Sequence, residues 1–226
     1  MIKPKMVTFD VYMALLDIEG SLVPIVGEVL SLDLTAASAF VRTWRAKQME
    51  RAAISNSLGG ERVSFRDATR MGLDYLARRD GLNLDHATQE KLVFAWDQLR
   101  PWLEADEAIA AIKAKGYLTA ILSNGDQNML EAVATQFESG FDYILSSETA
   151  GKYKPHPAVY DLPTRVLGIP KDQVLHVAGS ANDVLGAISA GMQCVWSNRH
   201  SDVVLDPAFP PTRELFNLSG LPDILS

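Results

Sequence analysis

The chain of 226 residues is poor in the residue types that build disulfide frameworks and metal sites, with one cysteine and four histidines. A single cysteine excludes an intramolecular disulfide, and we expect Cys194 to be a buried, inert thiol in a strand, in a reducing, cytoplasmic setting. The histidines lack the spacing of metal ligands, so structural or surface roles are expected for His86, His156, His176 and His200. The sequence therefore predicts neither a disulfide framework nor a histidine metal site.

An excess of positive charge and a long apolar run are also missing. The formal net charge is −7, which gives no basic field to attract nucleic acid or anionic lipid. No apolar run approaches the roughly 18 residues expected of a membrane helix, and residues 1–5 lead straight into a strand, which leaves no room for a removable signal peptide. We therefore expect no nucleic-acid partner and no membrane association, and an anionic substrate would be attracted by a few placed cations.

Hydrophobic residues make up 47% of the chain, enough for a substantial core. In the second half, apolar runs at 118–123, 143–147 and 174–178 alternate with helical patterns at 104–116, 126–137, 157–167 and 182–191. Such alternation is typical of parallel sheets with right-handed helical crossovers. The sequence predicts an α/β fold with a Rossmann-like, doubly wound parallel sheet.

The region between the first strand and the next differs, because residues 18–100 carry almost only helical patterns. We interpret this region as a helical cap domain inserted into a core domain formed by residues 1–17 and 101–226. Ligands of open α/β sheets bind outside the carboxyl ends of the strands, so an insertion after the first strand would cover the site.

Polar residues stand where the predicted strands end. Asp10 ends the first strand, and Tyr12 occupies the place where a phosphate-transferring enzyme would need a second acid, which favours a lone nucleophile over a metal-bound acid pair. In Ser123-Asn124-Gly125, a strand's last hydroxyl and the following amides face a helix N-terminus, an arrangement suited to anions. The sequence thus predicts an anion-handling site around Asp10.

Two further strand-end segments are Lys154-Pro155, ahead of Tyr160, and Gly179-Ser180-Ala181-Asn182-Asp183. With these four segments, the chain resembles the haloacid dehalogenase-like hydrolase superfamily over essentially its whole length. The helical region adds Trp44-Arg45-x-Lys47-Gln48-x-Glu50, which is similar to the L-2-haloacid dehalogenase (type II) branch and discriminates it from the superfamily at large.

The resemblance implies a hydrolase that displaces halide from the α-carbon of a small 2-haloalkanoic acid, without metal or other cofactor. Asp10 would attack carbon and form an ester, and water would then hydrolyse the ester to release a 2-hydroxy acid. Lys154 would keep Asp10 ionised, and Asp183 would orient or activate the water. Arg45, with Asn124, would receive the halide product.

The resemblance also implies the substrate contacts and the assembly. Ser123 and the amides after Asp10 would bind the substrate carboxylate, and tyrosines would shape the pocket. The implied substrate-binding residues are Tyr12, Met13, Ser123, Asn124, Tyr160 and Ser180. Members of this branch are often dimers, so a homodimer is expected.

Two segments depart from the branch pattern. Met13-Ala14 replaces the usual Gly-Thr after Tyr12, and Ala178-Gly179-Ser180-Ala181-Asn182-Asp183 replaces Ser-Ser-Asn-x-x-Asp, so the network around the hydrolytic water must differ. The alternatives are displacement of fluoride or of a strained ring amine, a magnesium-dependent phosphatase, and a non-catalytic binding protein. A phosphatase would want Gly-Asp at 178–179 and an acid at Tyr12, and a binding protein would not need the reactive residues together.

Overall fold

The computed structural model describes residues 3–58 and 60–225, and the contacts divide the chain into two compact units. One unit contains residues 1–16 and 101–226, and the other contains residues 17–100. The role of the second unit as a cap stays a prediction.

The first unit is built on a six-stranded parallel sheet. In chain order, the strands of the whole described part of the chain are β1 (Met6–Phe9), β2 (Leu16–Asp17), β3 (Arg100–Pro101), β4 (Leu118–Ser123), β5 (Tyr143–Ser146), β6 (Val174–Ala178), β7 (Gln193–Ser197) and β8 (Arg213–Leu215). The large sheet has the order β5-β4-β1-β6-β7-β8, and β2 and β3 form a separate two-stranded sheet. All four residues of β1 are buried, as expected for a central strand covered on both faces. The predicted Rossmann-like α/β class is confirmed.

Helices follow the strands of this unit. They are α5 (Ala105–Ala114), α6 (Gln127–Ala134), α7 (Ser147–Ala150), α8 (Pro157–Tyr160), α9 (Leu162–Leu167) and α10 (Ala181–Ser189), after α1 to α4 of the second unit. The single helix predicted over 157–167 is wrong, because the chain breaks at Asp161 between α8 and α9. Pro163 lies in the first turn of α9 and has no amide proton for the bond that a continuous helix would need.

The second unit is helical, as its sequence pattern predicts. Its helices are α1 (Ile18–Leu30), α2 (Leu34–Ser55), α3 (Phe65–Asp80) and α4 (His86–Phe94). Trp44 of α2 is fully buried, donates its indole N–H to the Thr69 carbonyl of α3 at 2.7 Å and meets the Trp96 ring edge-on at 5.4 Å. A Cβ at Gly72 would lie 3.1 Å from Trp44, so the small residue lets α2 and α3 approach closely.

Within the described residues, no individual helix has both the length and the apolar character to cross a membrane. Helices α1 and α2 reach that length and apolar character only when they are taken together, and the chain bends by 114° between them.

Candidate active site

Asp10 lies directly after the central strand β1, at the carboxyl end of the sheet. Its backbone amide donates to the Val177 carbonyl at 2.9 Å, which continues the pairing with β6 and fixes the position of the residue. One carboxylate oxygen, Oδ1, accepts from the Ser123 hydroxyl at 3.2 Å, and Oδ2 accepts from the Met13 amide at 3.3 Å. Only 8% of the residue is exposed. The Asp10 carboxylate is therefore buried, and a donor on each of its two oxygens fixes its orientation.

The segment after Asp10 is a five-residue π-helical turn, Val11–Leu15, that packs against the backbone of Gly179. A Cβ at Gly179 would lie 2.3 Å from the Ala14 nitrogen and 2.6 Å from the Met13 Cβ. No side chain fits there, so the departures at Met13-Ala14 and at Gly179 belong to one packing arrangement. The part of Met13 that contacts Asp10 is its backbone amide, which does not depend on the side chain.

Lys154 brings a buried ammonium group between two carboxylates. Its Nζ lies 3.0 Å from Asp183 Oδ2 and 3.5 Å from Asp10 Oδ1. The lysine backbone is also held, because its amide donates to Asn124 Oδ1 at 2.8 Å. Such buried, charge-assisted contacts are strong where water is excluded, so Lys154 links the two carboxylates into one cluster.

Asp183 lies in the first turn of α10, where its backbone amide donates to the Ser180 hydroxyl at 3.3 Å. Oδ1 accepts from the Tyr160 hydroxyl at 2.7 Å, and Oδ2 lies 2.9 Å from His176 Nε2. Burial alone would raise the pKa of Asp183, but the Lys154 ammonium and the donors from His176 and Tyr160 outweigh it and hold that pKa well below its usual range. Asp183 is thus ionised at neutral pH.

The Tyr160 hydroxyl is the group that donates to Asp183 Oδ1. Burial and the neighbouring Asp183 charge raise the pKa of Tyr160 well above its usual value, so the hydroxyl keeps its proton. A Cβ at Gly186 would lie 2.3 Å from this hydroxyl oxygen. The glycine leaves the space through which Tyr160 reaches Asp183.

We expect Gly186→Ala to force Tyr160 away from Asp183 and to lower the free energy of unfolding by about 1–3 kcal/mol, because the added methyl overpacks a buried contact. Gly220→Ala is the matched control, since the nearest atom to its added Cβ is the Leu215 Cδ2 at 3.5 Å, an ordinary contact. Urea denaturation of both variants measures the difference. Equal stabilities would contradict the assigned role of Gly186.

His176 is the residue of this cluster that the sequence analysis did not select. It is fully buried in β6, its Nδ1 lies 2.9 Å from the Thr8 hydroxyl, and its Nε2 lies 3.2 Å from Lys154 Nζ. Thr8 and His176 are paired residues of neighbouring strands. The available signal was that both are polar residues inside apolar strands. Thr8 stands two positions before Asp10, and His176 stands three positions before the segment from Gly179 to Asp183.

The structure brings most of the predicted site residues into one cluster within the first unit, namely Asp10, Ser123, Asn124, Lys154, Tyr160, Ser180 and Asp183. Tyr12 is buried in the same unit, and a Cβ at Gly125 would lie 2.8 Å from its hydroxyl. Arg45 belongs to the second unit. There it donates to Gln48 Oε1 at 2.6 Å and stacks over the rings of Phe65 and Trp96, at 5.8 and 5.7 Å.

One amide at the start of α6, beyond the Ser123-Asn124-Gly125 segment, is satisfied within the chain, and the anion site predicted at that segment stays a prediction. The Gln127 amide in the first turn of that helix donates to Glu148 Oε2 at 2.8 Å, so a carboxylate of the chain itself already satisfies it. The hydroxyl of Ser123 also accepts from the Val11 amide at 3.4 Å. Ser123 and Asn124 therefore position Asp10 and Lys154, whatever else they bind.

The donor set does not fit a magnesium ion. Magnesium requires a near-octahedral shell of oxygen ligands, but the Lys154 ammonium lies between Asp10 and Asp183 and the oxygens of Asp183 already accept from Tyr160 and His176. Over residues 3–58 and 60–225, no group of three or more His, Cys, Asp or Glu side chains is arranged to hold a metal. Tyr12 occupies the position where a magnesium-dependent phosphatase would need a further carboxylic acid.

Cys194 is confirmed as buried, on β7. Burial and the Asp183 charge raise the pKa of its thiol well above the ordinary value, which keeps the thiol protonated.

Comparison with known proteins identifies the class of protein to which this fold belongs. The sequence matches the family of haloacid dehalogenase-like hydrolases over residues 5–191, and the chain belongs to this family. It is 33% identical to an (S)-2-haloacid dehalogenase of Pseudomonas putida, covering 97% of this chain and 96% of the relative. It is 31% identical to an (S)-2-haloacid dehalogenase of Pseudomonas sp. strain YL, with 97% and 94% covered.

Among solved structures, the L-2-haloacid dehalogenase of Xanthobacter autotrophicus with chloropropionic acid covalently bound is similar, with a TM-score of 0.87. The two proteins are 25% identical, and the alignment covers 98% of each chain. The predicted resemblance to the L-2-haloacid dehalogenase branch is confirmed.

Proposed function

We propose that the protein hydrolyses small (S)-2-haloalkanoic acids to 2-hydroxy acids through an ester on Asp10. The observation that carries the proposal is the contact of the buried Asp10 carboxylate with the Lys154 ammonium, while Tyr12 occupies the place where a phosphatase would need a second acid. The names of the two Pseudomonas relatives and the covalent chloropropionic acid complex of the Xanthobacter relative support it.

In the first step, an oxygen of Asp10 forms a bond to the α-carbon as the carbon–halogen bond breaks, and the halide leaves with the electron pair. No proton moves in this step, so the nucleophile must enter it ionised. The ammonium of Lys154 and the donors from Ser123 and Met13 contact the two carboxylate oxygens of Asp10 and hold the nucleophile in place. Arg45 and Asn124 are assigned to the departing halide, and Tyr12, Met13 and Ser180 to the substrate pocket.

In the second step, water adds to the ester carbonyl carbon of Asp10. The bond from that carbon to the ester oxygen then breaks. This oxygen came from Asp10 and stays on the α-carbon, where it takes a proton from the water, so the 2-hydroxy acid leaves. Asp183 is held ionised, which makes it a weak base, so its main contribution is to orient the water. The second proton of the water is released when Asp10 returns to its carboxylate form.

Turnover of (S)-2-chloropropionate with EDTA present tests this function. We expect chloride and (R)-lactate in equal amounts, and no reaction of the (R)-substrate, because backside attack inverts the carbon. Fluoroacetate and azetidine-2-carboxylate, assayed in parallel, test the other leaving groups. Failure to release chloride, or hydrolysis of an aryl phosphate that requires magnesium, would contradict the proposal.

The proposal includes a homodimer in the cytoplasm, which rests on the resemblance and on the lone buried cysteine. Light scattering after size-exclusion chromatography measures the assembly, and a monomer at micromolar concentration would refute the dimer.

We expect Arg45→Ala to lower kcat/KM for (S)-2-chloropropionate by about 10²- to 10³-fold, because a preorganised cation for the leaving halide is lost. Arg42→Ala on the same helix is the matched control, since Arg42 forms an exposed ion pair with Glu19. Thermal unfolding of both variants separates loss of packing on Phe65 and Trp96 from loss of chemistry. Unchanged activity in Arg45→Ala would remove this residue from the halide site.

A further inference from the structure

A buried polar chain crosses the core of the first unit from β1 to α10. Thr8 and His176 are both fully buried and directly paired across β1 and β6, with 2.9 Å between Oγ1 and Nδ1. At its other end, the imidazole places Nε2 2.9 Å from Asp183 Oδ2. His176 thus connects a central strand to the carboxylate assigned to the hydrolytic water.

Three groups surround the imidazole nitrogens: the Thr8 hydroxyl at Nδ1, and at Nε2 the Asp183 carboxylate at 2.9 Å and, slightly farther away at 3.2 Å, the Lys154 ammonium. Burial, followed by the Lys154 charge, lowers the pKa of His176, so the ring is neutral and carries one N–H. If Nε2 were bare, its lone pair would face the anionic oxygen of Asp183 at 2.9 Å in a dry site. With the proton on Nε2, that contact becomes a hydrogen bond, and Nδ1 accepts from the Thr8 hydroxyl.

The donors around Asp183 leave little freedom for a water molecule. A carboxylate has roughly four lone-pair sites. Tyr160 donates to Oδ1, and Lys154 and His176 both lie within hydrogen-bond distance of Oδ2. The site that remains is on Oδ1, so the three donors together define where Asp183 can accept a hydrogen bond from water.

We propose that His176 is a positioning residue for ester hydrolysis: as the Nε2–H tautomer favoured by the Asp183 carboxylate, with Nδ1 accepting from Thr8, it fixes Asp183 so that Oδ1 receives the hydrolytic water. This inference rests on the proposed function. The imidazole contacts Asp183 and Lys154 and has no hydrogen bond to Asp10, so its effect falls on the second step of the reaction.

Three variants separate the parts of the arrangement. His176→Phe keeps a ring and removes both nitrogens, His176→Gln retains a donor near the position of Nε2, and Thr8→Val removes one hydroxyl at constant shape. The variant His86→Gln is the control. His86 is an exposed residue of α4, and we expect this variant to keep the wild-type rates.

The rates are measured by rapid quench with (S)-2-chloropropionate. In His176→Phe we expect one equivalent of chloride per site at a rate within about 3-fold of wild type, followed by hydrolysis slowed about 10- to 100-fold, the effect of losing a hydrogen bond to a charged group. Intact-protein mass spectrometry should show the accumulated ester, and His176→Gln should recover most of the hydrolysis rate. Unchanged hydrolysis in His176→Phe, or equal slowing of both steps, would overturn the proposal.

Long-range ¹H–¹⁵N NMR spectra of the imidazoles test the tautomer without substrate, with His176→Gln providing the assignment. We expect a proton on Nε2 and none on Nδ1 at pH 7. A proton on Nδ1, or an imidazolium, would refute the arrangement.

If wild-type protein forms no ester, the proposed function fails while this spectrum still decides the tautomer. If His176→Phe does not fold, Thr8→Val carries the kinetic test, with slower hydrolysis expected and unchanged hydrolysis counting against the proposal.

Discussion

Asp10→Asn is expected to abolish chloride release from (S)-2-chloropropionate, with a loss of about 10⁴-fold or more, because an amide does not act as the nucleophile that forms the ester. The substitution conserves shape: the single amide oxygen can accept from the Met13 amide, and the amide NH2 can donate to the Ser123 hydroxyl, which also accepts hydrogen bonds. We therefore expect the folded structure to persist. A chloride assay together with circular dichroism measures both quantities.

The control for this variant is Asp33→Asn. Asp33 is an exposed residue whose side chain caps α2 by accepting from the Ala36 amide at 2.8 Å, and asparagine caps helices equally well. Its activity and stability should equal those of the wild type. Substantial chloride release by Asp10→Asn would show that another group attacks the substrate.

Lys154→Met is expected to stop turnover and to lower the free energy of unfolding by about 3–5 kcal/mol, because two buried carboxylates lose their common cation. The pH dependence should also reverse. In the wild type, the pKa of Asp183 lies below its unfolded value, so its stabilising contribution is present at neutral pH and is lost as the pH falls. Without the ammonium, burial raises the pKa of Asp183, and the variant should gain stability as the pH falls from 8 to 5.

Urea denaturation across this pH range measures the effect, with Lys171→Met as the matched control. Lys171 pairs with Asp161 at 2.7 Å on the surface, where such pairs contribute about 0–1 kcal/mol. A loss in Lys154→Met no larger than that in Lys171→Met would rule out a central role for the buried ammonium.

The sequence predicted the strands that are buried on both faces with the most accuracy. The bounds predicted for 118–123 and 174–178 coincide with β4 and β6, because a short run of apolar residues is nearly sufficient to define such a strand. The helix over 157–167 was wrong because its apolar spacing continues across Pro163, where the backbone bond pattern cannot.

The site could be predicted as far as strand order determines it. Asp10 follows β1, Ser123 ends β4 and Asp183 lies beyond β6; these strands are neighbours, and the carboxyl ends of parallel strands meet at one edge of a sheet. His176 was not predicted because a lone polar residue within an apolar strand has no partner visible in the sequence, and here its partner Thr8 is 168 residues away. The hydrogen bond from the Met13 amide to Asp10 could not be predicted either, because a motif of side chains does not specify the turn that the backbone makes.

The most direct test of ester formation at Asp10 is a single turnover in ¹⁸O-water. Enzyme in excess over (S)-2-chloropropionate, with EDTA present, is digested, and the peptides that carry Asp10 and Asp183 are analysed by mass spectrometry. We predict ¹⁸O in the carboxylate of Asp10, none in Asp183 and none in the lactate of the first turnover. Label in the lactate with an unlabelled Asp10 would contradict the ester and would indicate direct attack of water on the substrate.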